Sequence, residues 1–393
     1  MTTATHAQRA IGTRPPLVTR PLLMRFAVTL GSSISFYLLL SVVPLYASSV
    51  GAGGNAAGLA TGALMFATVA GELATPRLTA RYGYRTTLAA GLVLLGAPAL
   101  ALTAPAGLAV VMAVCVVRGL GFAITVVAGG AITASLIPAE RRGEGLALAG
   151  VVSGVPSLTA LPLGVWLAGR IGDAPVFAAG AVAALAALAA VPALPGSKPA
   201  GPAADRPLGV TAALRTATLL RPAVVFAAIT IAAGIIVTFV PLAVTGSGSI
   251  AVLALFAQSA AATVSRCLAG RHGDRHGPAR LLIPGLIAAA LGMMLLALTG
   301  VPAAVLAGSV IFGLGFGVAQ NASLSLMYER VPASGYDAVS ALWNLSYDGG
   351  MGVGAAGFGL LAGGTGYPVA FAVIAAAMLI ALAPAWRDRV AAR

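Results

Sequence analysis

Long apolar runs alternate with short polar intervals along the chain, and the runs predict the architecture. A membrane-crossing helix needs about 20 mostly apolar residues at about 1.5 Å rise each. Twelve runs meet that length. The first six cover 26–47, 57–75, 86–104, 108–135, 146–168 and 176–192. The second six cover 223–244, 250–269, 280–299, 303–327, 339–362 and 367–385. One polar, proline-rich interval is longer than the others: residues 193–222, at mid-chain. It predicts a linker between two six-helix halves. The expected organisation is a tail at 1–25, a first bundle at 26–192, the linker, a second bundle at 223–385 and a tail at 386–393.

Composition places these helices in a bilayer. Hydrophobic residues make up 59% and charged residues 8% of the 393, whereas a soluble domain carries about 25% charged residues. A chain of this size cannot hide so much apolar surface from water. The fold class is therefore an all-α membrane protein.

The net charge of +13 raises nucleic-acid binding. The positions of the charges exclude it, because the basic residues form short clusters between apolar runs rather than a continuous face. With the N-terminus inside, 20 of the 23 basic residues fall on the cytoplasmic side, and only Arg170 lies in an outer loop. The remaining two, Arg118 and Arg266, lie within spans. This asymmetry predicts a multi-pass protein of the cell membrane with both termini cytoplasmic. The first 25 residues, with Arg9, Arg14, Arg20 and Arg25, are expected to be an uncleaved cytoplasmic tail. Cys115 and Cys267 lie in apolar runs of different halves and suggest neither a disulfide framework nor a metal site.

The halves repeat at an offset of 194 residues. "RGLGFAITVVAGG" from Arg118 aligns with "FGLGFGVAQNASL" from Phe312, Pro138 with Pro332, Arg81 with Arg275 and Gly83 with Gly277. "VVPLYA" around Pro44 aligns with "FVPLAV" around Pro241 at offset 197. Duplicated six-helix units joined by a polar linker resemble the major facilitator superfamily over nearly the whole chain. The segment "GRHGDRHGPAR" resembles that family's cytoplasmic loop motif, with Gly270, Asp274, Arg275, Gly277 and Arg280 in register. The equivalent loop of the first half keeps Arg81, Gly83 and Arg85 but has Pro76 and Ala80 in place of the glycine and aspartate.

The resemblance implies two pseudo-symmetric six-helix bundles that rock about a midplane site. It also implies a gating role for the loop residues. Asp274 is expected to pair with the start of span 5 or with Arg141 and Arg142, and Asp337 to cap its own helix. Arg118 matches the family's arginine in span 4, implicated in proton transfer or substrate binding. Span 5 resembles the family's antiporter motif, although Val155 separates Gly154 from Pro156.

Ionisable groups inside a membrane are costly and mark function unless they are locally paired. Glu72 and Arg266, equivalent in the repeat, lie near the span ends, where pairing with loop arginines such as Arg77 is the alternative reading. Arg118 and Asp348 lie deeper. Their expected role is a proton-coupling pair, with Asp348 and secondarily Glu72 carrying the proton and Arg118 holding the carboxylate charged. The alternative is a buried pair that locks two helices. Tyr37, Ser33, Gln258, Gln320, Asn321, Trp343, Asn344 and Tyr347 are the substrate-cavity candidates, an aromatic and amide-rich set suited to an amphipathic organic ligand.

Other motifs carry nothing. "GVGAAG" at Gly352 lies inside an apolar helix without a preceding strand, so it does not bind a dinucleotide. A Walker A loop and a G-x-S-x-G elbow are both missing from the sequence. No cofactor, metal or enzymatic activity is expected. The reading is a monomeric secondary transporter in the lipid bilayer, driven by protons, exporting a small hydrophobic or amphipathic compound. Proton-coupled uptake of a sugar or organic acid is the alternative.

Overall fold

The first helix starts earlier than the apolar run alone predicts. Thr19 caps it, its Oγ1 accepting from the Leu22 amide at 3.4 Å, and Pro21 suits the first turn. Helix α1 thus spans Arg20–Leu40, and Arg25 belongs to it rather than to a tail. The computed structural model describes residues 16–51, 53–138, 141–194, 196, 210–244, 248–332 and 335–391.

After a break at Ser41, α2 (Val42–Val50) continues the first pass, followed by α3 (Gly54–Gly96). The first half ends with α4 (Leu108–Leu136), α5 (Arg142–Ile171) and α6 (Asp173–Ala186). The second half holds the short α7 (Val210–Arg215), then α8 (Ala217–Ala243), α9 (Gly248–His276) and α10 (Ala279–Leu296). It closes with α11 (Pro302–Glu329), α12 (Tyr336–Thr365), α13 (Tyr367–Met378) and α14 (Leu382–Ala391).

Helix α3 is two passes. A straight helix of its 43 residues would be about 65 Å long, twice a bilayer core. Gly83 breaks it with φ 78° and ψ 167°, a conformation open to glycine and strained for other residues. Gly71 and Gly91, on either side of the break, pack against neighbouring Ala123 and Ile124 of α4, so the chain folds back on itself. Among the described residues ten helical stretches are long and apolar enough to cross a membrane. The α3 stretch contains two crossings, and α12, at 30 residues, adds another of sufficient length.

The duplication read from the sequence recurs in the packing. Gly277 (φ 83°) turns the chain between α9 and α10 as Gly83 does in α3. A Cβ on Gly119 would strike the Leu64 carbonyl oxygen, and one on Gly313 the Gln258 carbonyl oxygen; the second contact is the first shifted by 194 residues. Small residues thus let α4 meet α3, and α11 meet α9, at backbone distance.

The halves meet along α3 and α12, which run antiparallel. Gly58 faces the backbone of Ala355, Gly62 the side chain of Ala356, and Met65 and Phe66 the Cα of Gly352. At the end of the molecule away from the arginine clusters, Ser41 Oγ donates to the Val237 carbonyl at 2.6 Å. Thr61 and Thr238 share a hydrogen bond of 2.9 Å beside it.

Two segments expected to be irregular are helical. Residues 210–215 and 217–222 of the expected linker belong to α7 and α8, while 197–209 lie outside the described residues. The C-terminal segment forms α14, anchored by Asp388, which is fully buried. Its Oδ1 accepts from Arg330 Nη2 at 3.0 Å and lies 3.6 Å from Arg221 Nη1. The ion pairs give this polar segment a reason to fold onto α8 and α11.

Candidate functional site

Where α3 and α12 part toward the arginine-rich face, a cavity of about 480 Å³ opens between the halves. Its floor is Leu40, Met65 and Met351, just above the hydroxyl contacts of Ser41 and Thr61. From the floor it runs to Arg25, Thr133 and Ala149 near the opposite ends of α1, α4 and α5. Both halves contribute walls.

Among the described residues two arginines and two carboxylic acids line it: Arg25 and Glu72 from the first half, Arg266 and Asp348 from the second. The carboxyl groups of Glu72 and Asp348 come within hydrogen-bonding reach of each other across the interface. Such a contact needs one proton between the two groups. Arg266 lies close enough to act electrostatically on Tyr37 and Tyr347, which flank the acids. Glu72 is thus engaged with the opposite half rather than with Arg77.

Aromatic side chains form the rest of the chamber. Phe36 stacks on Phe122 with centroids 3.5 Å apart, and Tyr37 meets Phe36 edge-on at 5.2 Å. On the opposite wall Trp343 stacks on Phe226 at 4.7 Å, and Tyr347 lies 5.7 Å from Trp343. The indole of Trp343 is fixed by its Nε1, which donates to Ser323 Oγ at 3.0 Å. Ser33, Gln320 and Asn344 add polar edges. This combination of flat aromatic faces with polar and charged side chains suits an amphipathic organic molecule.

Two cavity candidates face elsewhere. Gln258 is buried in α9 where α11 crosses at Gly313, and Asn321 points at Gly270 of α9. Neither lines the cavity wall.

Arg118 is not paired with Asp348, contrary to expectation. Its Nη1 donates to the Leu95 carbonyl at 2.6 Å and its Nη2 to the Ser35 carbonyl at 3.0 Å. Leu95 stands where α3 tightens into the 3₁₀ turn Ala97–Thr103, a transition that leaves carbonyl groups for other donors. The guanidinium touches only a water-sized void of about 10 Å³ beside Cys115 and Thr61. Arg118 therefore ties α1, α3 and α4 together inside the first half, away from both lipid and the main cavity.

The loop residues serve as anchors in the first half. Arg85 Nε donates to the Leu194 carbonyl, and the Tyr84 amide donates to the Gly196 carbonyl at 3.3 Å, holding the turn at Gly83 to the end of the first half. Arg81 lies 5.3 Å from the Tyr82 ring centroid. In the second half Gly270 and Arg275 lie on α9, Gly277 at the turn and Arg280 in the first turn of α10. The side chains of Asp274, Arg142 and Asp337, to which gating and capping roles were assigned, lie outside the described residues.

One residue escaped the sequence reading. Arg25, counted as a tail charge, is 4% exposed and lines the cavity, its Nε donating to the Gly129 carbonyl at 2.9 Å. Gly129 is its only signal in the sequence, because a Cβ there would occupy the guanidinium's place.

Comparison with known proteins identifies the scaffold. The family model for the Major Facilitator Superfamily matches residues 25–249 and 223–392. No curated protein matches the sequence. Among solved structures, a bacterial homolog of the human lysosomal transporter Spinster, in an inward-facing and occupied conformation, superposes with a TM-score of 0.78 at 15% identity, covering 96% of this chain and 98% of that one. A POT family transporter in complex with 5-aminolevulinic acid gives 0.77 at 12% identity, covering 95% and 96%. A point mutant of the nucleoside transporter NupG gives 0.71 at 12%, covering 93% and 99%. These likenesses establish the fold, and the match of the family model along almost the full described length, together with the duplicated helices, makes the chain a member of the Major Facilitator Superfamily.

Proposed function

We propose that this transporter is a proton-coupled exporter of small amphipathic organic compounds, working by alternating access in the cell membrane with its arginine-rich face in the cytoplasm. The observation that carries the reading is the meeting of Glu72 and Asp348 across the two halves inside the cavity. A proton held between two carboxyl groups on different bundles links proton occupancy to their separation. When the bundles move apart at this point, each acid faces water on its own and the shared proton is released. Arg266, at the repeat position of Glu72, supplies a cation to the same chamber. This assigns the coupling to Glu72 and Asp348, with Arg118 as a structural tie.

The aromatic walls support an amphipathic substrate over a sugar, because the hydroxyls of Thr29, Ser32, Thr125, Thr133 and Ser153 in the same lining donate to carbonyls of their own helices. A basic residue excess on one face supports the cytoplasmic orientation.

The test is compound-dependent proton movement in everted membrane vesicles carrying a pH-sensitive dye, scanned over a library of amphipathic compounds. Active compounds should release protons from acidified vesicles with the native chain. Glu72→Gln and Asp348→Asn should abolish that release while leaving counterflow exchange of the same compounds. Gradient-driven movement surviving in both variants would overturn the coupling assignment. Accumulation of the compounds against the opposite gradient would favour uptake.

A further inference from the structure

Among the described residues Arg25 is a cation without a counter-ion. It is buried in the cavity wall, its Nη1 has no hydrogen-bond partner, and among the described residues no carboxylate pairs with it. A buried guanidinium left half-satisfied is expensive, and a well-packed apolar residue would cost less. The hydroxyls of its neighbours do not resolve this: Thr29 and Ser32 donate to backbone carbonyls of their own helix, and Thr133 to Gly129.

The charge balance of the described cavity lining has the same sign. Two guanidiniums, Arg25 and Arg266, face two carboxyl groups that share a proton and so carry one negative charge between them. Among the described lining residues this leaves one excess positive charge, located at Arg25. Along α1, Arg25, Thr29, Ser32 and Phe36 follow at helical spacing and all line the cavity. Eleven residues at about 1.5 Å each set the guanidinium's helix position about 16 Å from the Phe36–Phe122 stack.

We propose that Arg25 is the docking group for the anionic end of the substrate, which is an organic carboxylate with a flat apolar body lying against Phe36 and Phe122. Its guanidinium lines the cavity without a carboxylate partner among the described residues and can give a carboxylate oxygen a charged donor, while Nε stays on Gly129. This deepens the transport reading, on which it rests in taking the cavity as the substrate site.

Binding of matched probes to the purified full-length chain in neutral detergent tests it. Arylalkanoates with naphthyl and pyrenyl bodies and chains of two to six carbons would be paired with their primary amides, read by quenching of tryptophan emission. The native chain should bind the best-fitting acids at least ten-fold more tightly than their amides. Arg25→Gln should reduce that ratio below two-fold, and Arg25→Lys should retain part of it. Gly129→Ala, which displaces the guanidinium without removing it, should also reduce the ratio and covers the case in which Arg25→Gln fails to fold. Absence of acid preference throughout the panel would overturn the proposal, as would a preference that survives both Arg25→Gln and Gly129→Ala or follows Arg266 instead. Because detergent binding needs no gradient, loss of proton-driven flux with an intact Arg25-dependent preference would reject the transport reading alone.

Discussion

Thr61 of α3 and Thr238 of α8 join their hydroxyls at 2.9 Å across the two halves, fully buried at the end of the molecule opposite the arginine clusters. With Ser41 on the Val237 carbonyl, they are polar contacts in an otherwise apolar seal beneath the cavity floor. Each such bond contributes about 1 kcal/mol, or about five-fold in a two-state equilibrium. Combining Thr61→Val with Ser41→Ala should therefore open the seal more often. A thiol introduced by Leu40→Cys should react several-fold faster with an impermeant maleimide added from the side opposite the arginine-rich face; an unchanged rate would show that the hydroxyls do not hold the seal.

Arg118 and Asp348 should behave as independent sites, and Glu72 and Asp348 as a coupled one. Residues without shared partners add within about 0.5 kcal/mol, whereas contacting polar groups depart by more. Arg118→Met should lower the unfolding midpoint in detergent because it strips the Ser35 and Leu95 carbonyls of a charged donor. Its effect should add to that of Asp348→Asn. A double-mutant cycle of Glu72→Gln with Asp348→Asn should not close. The opposite pattern would restore the pairing that the sequence suggested.

Gly119→Ala and Gly313→Ala should destabilise the protein to similar extents, by about 1–3 kcal/mol each, since each methyl meets a backbone carbonyl that no rotamer change can move. Guanidinium or urea titration of the detergent-solubilised protein measures it. Tolerance at one site with intolerance at the other would mean that the two halves relax differently despite their common geometry.

Asp388→Asn should release the last helix. Arg330 and Arg221 lose the buried anion that draws α14 onto α8. Amide hydrogen exchange across Leu382–Ala391 should accelerate, with little change in α8. Uniform protection in α14 would attribute its docking to apolar contacts.

How far the sequence carries depends on which groups do the binding. Apolar runs define most of the crossings because a bilayer demands that length, and the repeat locates Gly83 and Gly277 because only glycine suits their turns. On α12 the spacing of Trp343, Asn344, Tyr347 and Asp348 already puts them on neighbouring faces, and all four line the cavity. Gln320 and Asn321, by contrast, differ by about 100° around α11, and nothing in the letters says which one faces inward. Arg118 was unreadable for a different reason: its acceptors are backbone carbonyls, which have no letter at all. Arg25 reads as a tail charge because a basic residue near a span end ordinarily snorkels to water, while here Gly129 leaves room for the guanidinium and its carbonyl accepts from Nε.

The divergence at one duplicated position has a consequence for how cargo is held. In two identical subunits, positions 72 and 266 would be the same residue, and any guest between them would have two equivalent orientations. In a single chain the two copies can differ, and here one is an acid and the other a base, both lining the same chamber. At this position the compartment's lining therefore lacks the twofold equivalence of its scaffold.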